Sequence, residues 1–168
     1  TPPSTSGFSG TGALTIQPSG TSFTSAFKPS YGFPSTLTSL TLGKSGNTAN
    51  IAIPSSLSVA GPISIYGGSL YLGGDLTSTG TSSNNLLLQG WGDVVVTGNV
   101  STAGTFTATA GTSNSFVMGL NYSTGVGSTI NANGGVTLNA GTSYLAGNVT
   151  TIGTSISITG NVQVANLS

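Results

Sequence analysis

The sequence feature that most constrains the fold is a set of apolar-x-apolar triplets between Leu57 and Leu76. The triplets begin at Leu57, Ile63 and Leu70, and Leu76 follows, so the successive steps are 6, 7 and 6 residues. Each triplet alternates as a short strand with one buried face does, and turn-forming Gly, Pro or Ser residues separate the triplets. We interpret this stretch as one coil of a β-solenoid with three short strands, three corners and a return one layer further along.

The same pattern extends over most of the chain. Gly-Asn-Val recurs at 98–100, 147–149 and 160–162. Each time Gly-Asn falls at a predicted corner and Val at the start of a predicted strand. Helical spacing of apolar residues is almost absent, and Gly, Asn and β-branched residues disfavour helices. The sequence therefore predicts an all-β parallel solenoid over residues 37–168, with about seven coils of roughly 19 residues each.

Alternation within the triplets also predicts the core. Two arrangements are possible: either one residue of each triplet points inward, or both apolar residues point inward and the middle one points outward. The expected inward set comprises Leu42, Ile53, Val59, Ile65, Leu72, Leu88, Val96, Met118, Leu138, Ile158 and Val164.

Residues 1–36, which we call the lead, differ from the rest in being rich in proline and aromatic residues. Leu14–Ile16 is the one strand predicted there, because Pro interrupts longer strands. We expect the aromatic residues to pack on the first coil as a cap; the alternative is an arm that inserts into another chain or an upstream domain. The aromatic residues concerned are Phe8, Phe23, Phe27, Tyr31 and Phe33.

The near absence of charge excludes several classes of function. Charged residues make up 2% of the chain, namely Lys28, Lys44, Asp75 and Asp93, and the net charge is zero. This excludes a basic nucleic-acid-binding surface, which needs several Lys or Arg residues to neutralise phosphates. The chain has no Cys or His, so thiolate nucleophiles, Cys zinc sites and a His general base are excluded as well. We predict a non-enzymatic protein without a cofactor.

The chain boundaries and hydropathy give two further expectations. No apolar run approaches the ~18 residues of a membrane-spanning helix, so no membrane span is predicted. The sequence begins with Thr1 and ends at Ser168 soon after a strand signal, from which we expect a segment of a longer chain or a processed subunit.

Three segments carry a resemblance to a known family. They are GALTIQPSG at 12–20, LTLGKSGNTANI at 40–51 and SVAGPISIYGG at 58–68. They resemble the filamentous haemagglutinin-like adhesins, giant bacterial exoproteins built of weak β-strand repeats, and the similarity spans most of residues 10–100. The resemblance implies a right-handed parallel β-helix exported to the bacterial cell surface, with a role in adhesion or matrix formation and no catalytic residue. Such adhesins often carry more charged residues than this chain.

Asp75 and Asp93 are the only carboxylate side chains and form a weak candidate site. They are 18 residues apart and both follow Gly, a spacing that would allow them to stack on adjacent layers at one corner. Such a pair suits a Ca²⁺ ion assisted by carbonyl groups, or a glycosidase-like acid pair. The alternative, which we favour, is two surface corner residues whose carboxylates accept hydrogen bonds from turn amides.

Aromatic residues suggest a different site. Trp91, Tyr66 and Tyr71 form a candidate platform on which a sugar ring would stack, although single exposed aromatics are common. Several Thr-x-Thr pairs raise ice binding as a further function, but they do not recur at a steady interval of about 19 residues.

The expected function is therefore a structural or adhesive segment of an extracellular bacterial fibre. Its expected partners are copies of itself or other segments of a longer chain, and surface glycans. The alternatives are a carbohydrate-binding or, less favoured, carbohydrate-cleaving β-helix, and third an ice-binding solenoid.

Overall fold

The computed structural model describes residues 7–121 and 126–164 of the chain. Within these ranges all the regular elements are β-strands. No helix with the length and hydropathy to cross a membrane occurs in them. The strands are β1 (Ala13–Ile16), β2 (Ser39–Leu42), β3 (Ile51–Ile53), β4 (Leu57–Val59), β5 (Ile63–Gly67), β6 (Leu70–Leu72), β7 (Leu76–Ser78), β8 (Leu86–Gly90), β9 (Val94–Val96), β10 (Val100–Thr102), β11 (Phe106–Thr109), β12 (Ser115–Met118), β13 (Leu120–Asn121), β14 (Val126–Gly127), β15 (Ile130–Ala132), β16 (Val136–Leu145), β17 (Val149–Thr150) and β18 (Ile156–Val164).

The strands stack in parallel on three faces of a solenoid. Face 1 contains β1, β2, β5, β8, β11 and the first halves of β16 and β18. Face 2 contains β3, β6, β9, β12 and the second halves of β16 and β18, while face 3 contains β4, β7, β10, β15 and β17. The chain is thus an all-β parallel solenoid of about six turns, and the right hand of the coil stays a prediction.

The coil predicted from the triplet spacing is confirmed. Strand β4 pairs in parallel with β7, Leu57 opposite Leu76, and β5 and β6 lie between them in sequence. Coil length is not uniform: this coil takes 19 residues, whereas the coil that returns from Asn99 to Thr129 takes 30. Because several coils are longer than 19 residues, the structure has about six turns where the uniform repeat predicted about seven. A short antiparallel hairpin of β13 and β14 occupies part of the longest coil.

The core lies between the three faces and is built from both apolar residues of each triplet. In β4, for example, Leu57 and Val59 are buried and Ser58 is exposed. Both apolar residues of the triplet therefore point inward and the middle residue points outward. The predicted inward residues from Leu42 to Leu138 are all buried. Val164 is 74% exposed, so its assignment was wrong, and Ile158 is only partly buried. Both lie in β18, and no described strand packs on its far side.

The lead forms the first layer of the solenoid. Leu14 and Ile16 in β1 lie opposite Leu40 and Leu42, and Phe27 bridges in parallel to Ile51. The rings of Phe23 and Phe27 stack with centroids 5.2 Å apart, and both residues pack against the core. The predicted strand at Leu14–Ile16 therefore exists, and it extends face 1 on the N-terminal side of residue 37.

Candidate functional site

Asp75 belongs to a ladder of side chains at the corner between faces 2 and 3. The residues immediately before β4, β7 and β10 each accept a hydrogen bond from the backbone amide of their equivalent one layer further on. Ser56 Oγ accepts from Asp75 N (3.2 Å), Asp75 Oδ1 from Asn99 N (2.8 Å), and Asn99 Oδ1 from Thr129 N (2.9 Å). Since a corner amide lies outside the strand ladder, each side chain satisfies a donor that would otherwise need water.

Asp93 has the same role at the corner between faces 1 and 2. Its Oδ1 atom accepts a hydrogen bond from Ser115 N (2.8 Å) and a longer one from Asn114 Nδ2 (3.4 Å). At this corner Asn50 Oδ1 likewise accepts from Ser69 N (2.9 Å). The two carboxylates therefore occupy positions that Asn or Ser fills in other layers.

Asp75 and Asp93 do not stack as their spacing would have allowed, because the two residues lie at different corners. The separation of 18 residues matches the 19-residue coil that starts at Leu57, but the ladder steps 24 residues from Asp75 to Asn99. Among the described residues no cluster of three or more His, Cys, Asp or Glu residues is present. The arrangement thus offers neither the 6–8 oxygen ligands typical of Ca²⁺ nor a facing pair of carboxylates.

Trp91 lies at the corner between β8 and β9, where its side chain is 60% exposed. The layers approach closely here: Trp91 N donates to Gly67 O (3.0 Å), and Gly111 N, one layer further on, donates to Gly92 O (3.1 Å). A Cβ atom at Gly111 would collide with the Trp91 carbonyl oxygen. Glycine at position 111 thus permits the close approach of the two layers at this corner.

A groove of about 370 Å³ lies beside Trp91. Its side-chain lining comes from two adjacent layers and comprises Gln89, Trp91, Thr109, Thr112, Ser113 and Asn114. A second depression of about 260 Å³ has a mainly apolar surface; it shares Thr109, Ala110 and Thr112 with the groove and extends to Asn139, Ala140 and Thr159. Together they form a trough along the solenoid axis whose described lining is largely apolar, carries hydroxyl and amide groups at intervals, and has no formal charge.

The three aromatic residues of the predicted sugar platform do not form one surface. Tyr66 lies opposite Gln89 on the outside of face 1, beside the groove of Trp91. Tyr71 lies on the outside of face 2 and lines a separate depression of about 260 Å³ with Lys28 and Val95. The groove residues Gln89 and Asn114 were missed, because nothing in the sequence alone places corner 110–114 beside Trp91.

Outward hydroxyl side chains on face 1 also stack in register despite the unequal coil lengths. The row contains, in layer order, Thr15, Thr41, Ser64, Leu87, Thr107, Thr137 and Ser157. A uniform repeat cannot reveal this row, but the middle residue of each face 1 triplet marks it. Leu87 interrupts the row, and the bulky Tyr66 and Gln89 stand beside it, so the face lacks a continuous flat array of Thr.

Comparison with known proteins gave no family assignment: no protein-family model matches the chain, and neither the curated proteins nor the solved structures contain a significant match.

Proposed function

We propose that this chain is a structural or adhesive segment of an extracellular bacterial surface protein or fibre and that it is not an enzyme. The observation that carries the proposal is a stripe of uncharged, mostly apolar side chains in register on the outside of face 2. The stripe consists of Ala52, Tyr71, Val95, Val117 and Tyr144.

The stripe has the properties of a contact surface. It spans five layers, or about 19 Å at ~4.8 Å per layer. Tyr71 and Tyr144 are 45% and 39% exposed, and the three residues between and beside them are partly exposed. Exposed apolar surface that is contiguous over several residues typically marks an interaction site. The residues of the stripe are uncharged, and Lys28 lies beside its N-terminal end, in the depression with Ala52 and Tyr71.

The hydrogen-bonded corners support a scaffold role. Both carboxylates of the chain accept hydrogen bonds from backbone amides of the next layer, so they stabilise the corners. Each layer contacts its neighbours through parallel strands and corner side chains, as in other solenoids, so length is gained by adding layers. The proposed partners are therefore copies of the chain or other segments of a longer protein.

Membership of the filamentous haemagglutinin-like adhesins, with export to the cell surface, is part of the same proposal. Its support is the resemblance of the three segments together with a parallel β-solenoid fold. Antibodies against the purified chain test the location: we expect labelling of intact source cells, and labelling only after permeabilisation overturns it.

Adhesion itself is tested with beads coated with the purified chain. We expect coated beads to associate with one another or with source cells, and a Tyr71→Lys/Tyr144→Lys variant to do so several-fold less. Thr41→Lys/Thr137→Lys is the matched control, because it adds the same charge on the outside of face 1. Beads that do not associate at all, or that associate equally with both variants, contradict the proposed role of face 2.

Carbohydrate binding is a second candidate function, favoured by the exposed Trp91 beside its uncharged groove. A carbohydrate-cleaving version has less support, because Asp75 and Asp93 lie at different corners. Ice binding also has less support, because Leu87 breaks the hydroxyl row on face 1.

A further inference from the structure

We infer that the trough beside Trp91 binds a neutral oligosaccharide, with one pyranose ring on the indole and the chain of sugars along the solenoid axis. The inference deepens the proposed adhesive function and rests on it for the biological use of the site. It specifies where a glycan binds and which chemical class of glycan is accepted.

The indole of Trp91 supplies the surface on which a sugar ring packs. Its exposed face is a flat apolar plate that carries partial negative charge, whereas the C–H face of a pyranose is apolar with partial positive charge. The corner backbone is fixed by hydrogen bonds to Gly67 and, through Gly92, to the layers on both sides. The plate is therefore held on a rigid corner and not on a mobile loop, which lowers the entropic cost of binding.

Amide and hydroxyl groups beside the plate match sugar hydroxyls. Asn114 donates one N–H to Asp93 Oδ1 over 3.4 Å, which orients its amide towards the corner. A primary amide has two donors and one acceptor, so Asn114 retains further hydrogen-bonding capacity. Gln89 supplies a second amide from the adjacent layer, and Thr109 and Thr112 add hydroxyls that both donate and accept.

The charge of the lining specifies a neutral ligand. The described lining residues of both depressions are uncharged, so no cation compensates the desolvation of a uronate or sialate carboxylate. The nearest formal charge on the same corner is the carboxylate of Asp93, which repels an anionic sugar. The Asp93 carboxylate thus selects against anionic sugars by repulsion, in addition to the favourable contacts made with neutral sugars.

The dimensions favour an oligosaccharide over a monosaccharide. The groove volume of about 370 Å³ falls in the range of small-ligand sites. The second depression continues it through the layers of Thr109, Asn139 and Thr159, which face each other in register. From Gln89 to Thr159 the trough crosses three layer steps, about 14 Å, which exceeds the width of one sugar ring.

Trp91 is the single tryptophan of the chain, so its fluorescence reports directly on the site. We would titrate the full chain with cello-, malto-, manno- and galacto-oligosaccharides of six units, and with oligogalacturonate and sialyllactose as acidic probes. We expect a saturable change in emission with at least one neutral hexasaccharide, a weaker effect of the corresponding disaccharide, and none with the acidic probes. No change with any neutral probe, or stronger binding of an acidic one, overturns the inference.

Variants examined by calorimetry assign the binding to the trough. Trp91→Ala should abolish binding, Trp91→Phe should retain part of it, and Asn114→Ala should weaken it about tenfold or more. Tyr71→Ala, on face 2, is the control and should bind normally; circular dichroism shows whether each variant keeps its strands. Unchanged affinity of Trp91→Ala, or binding of an apolar peptide in preference to every sugar, contradicts the inference. If sugar binding fails while coated beads still adhere, only this inference falls and the proposed function stands.

Discussion

Asp75 Oδ1 accepts a hydrogen bond of 2.8 Å from the backbone N–H of Asn99, its equivalent one layer further along the solenoid. Asn99 repeats the contact with Thr129, and Asn85 Oδ1 accepts from Thr105 N (3.0 Å) at the corner between faces 3 and 1. The same device thus occurs at all three corners. It requires an acceptor side chain directly before a strand and does not require a charge.

The first prediction concerns this acceptor. Asp75→Ala should lower the free energy of unfolding by about 1 kcal/mol, since the amide of Asn99 loses its partner. Asp75→Asn keeps an acceptor of the same length and should cost clearly less. Chemical denaturation followed by circular dichroism measures both variants. Equal losses for Ala and Asn would show that the charge matters, and not the hydrogen bond.

A charge inside the solenoid should be far more damaging than one outside. Val96 is 1% exposed and points into the core, while its neighbour Val95 points outward in the same strand. We expect Val96→Asp to destabilise the protein by several kcal/mol or to prevent folding, because an unpaired carboxylate is buried. Val95→Asp is the matched control and should leave the thermal midpoint nearly unchanged. Similar melting curves for the two variants would contradict the inward assignment of β9.

Two buried serines should differ in how the loss of their hydroxyl groups affects stability. Ser143 is fully buried and its Oγ has no hydrogen-bond partner among the described residues, whereas Ser78 Oγ donates to Gly61 O over 2.8 Å. Ser143→Ala should be neutral or stabilising, because it removes an unsatisfied polar atom. Ser78→Ala should destabilise by about 1 kcal/mol, because the buried carbonyl of Gly61 loses that donor. Urea titration of both variants measures the change in the free energy of unfolding. A loss of stability in Ser143→Ala as large as that in Ser78→Ala would refute the prediction.

The close approach of layers at the Trp91 corner gives a fourth prediction. Gly111→Ala places a methyl group against the Trp91 carbonyl oxygen, so we expect a loss of about 1–3 kcal/mol from overpacking. The shift of the corner should also change the emission spectrum of Trp91. Gly20→Ala, where the methyl group meets nothing within 4 Å, should leave both quantities nearly unchanged. A Gly111→Ala protein with normal stability and emission would show that the corner accommodates a methyl group without strain.

Much of the fold could be predicted from short-range pattern. The triplet from Leu57 to Val59 shows both its strand and its buried residues, because burial on one face of a strand imposes a period of two on the side chains. The return from Leu57 to Leu76 was predictable for the same reason, since its corners contain no insertion. Val164 was misassigned because alternation reveals direction, while burial also requires a covering layer.

The candidate site was predictable only in part. Trp91 stood out as the single tryptophan, flanked by glycines, and its exposure follows from that corner. Its partners Gln89 and Asn114 did not stand out, because amide side chains are frequent in this sequence and their meeting depends on the coil between β8 and β12.

The sequence by itself determined the class of architecture, the inward residues of the inner layers and the scarcity of charge. Those properties follow from local alternation and composition, which act over a few residues. Only the tertiary structure decided which corners share a column, because that depends on the summed lengths of all intervening turns. The step of 24 residues from Asp75 to its equivalent Asn99 leaves Asp93 at a different corner, and the step of 22 residues from Asp93 to Ser115 brings corner 110–114 beside Trp91.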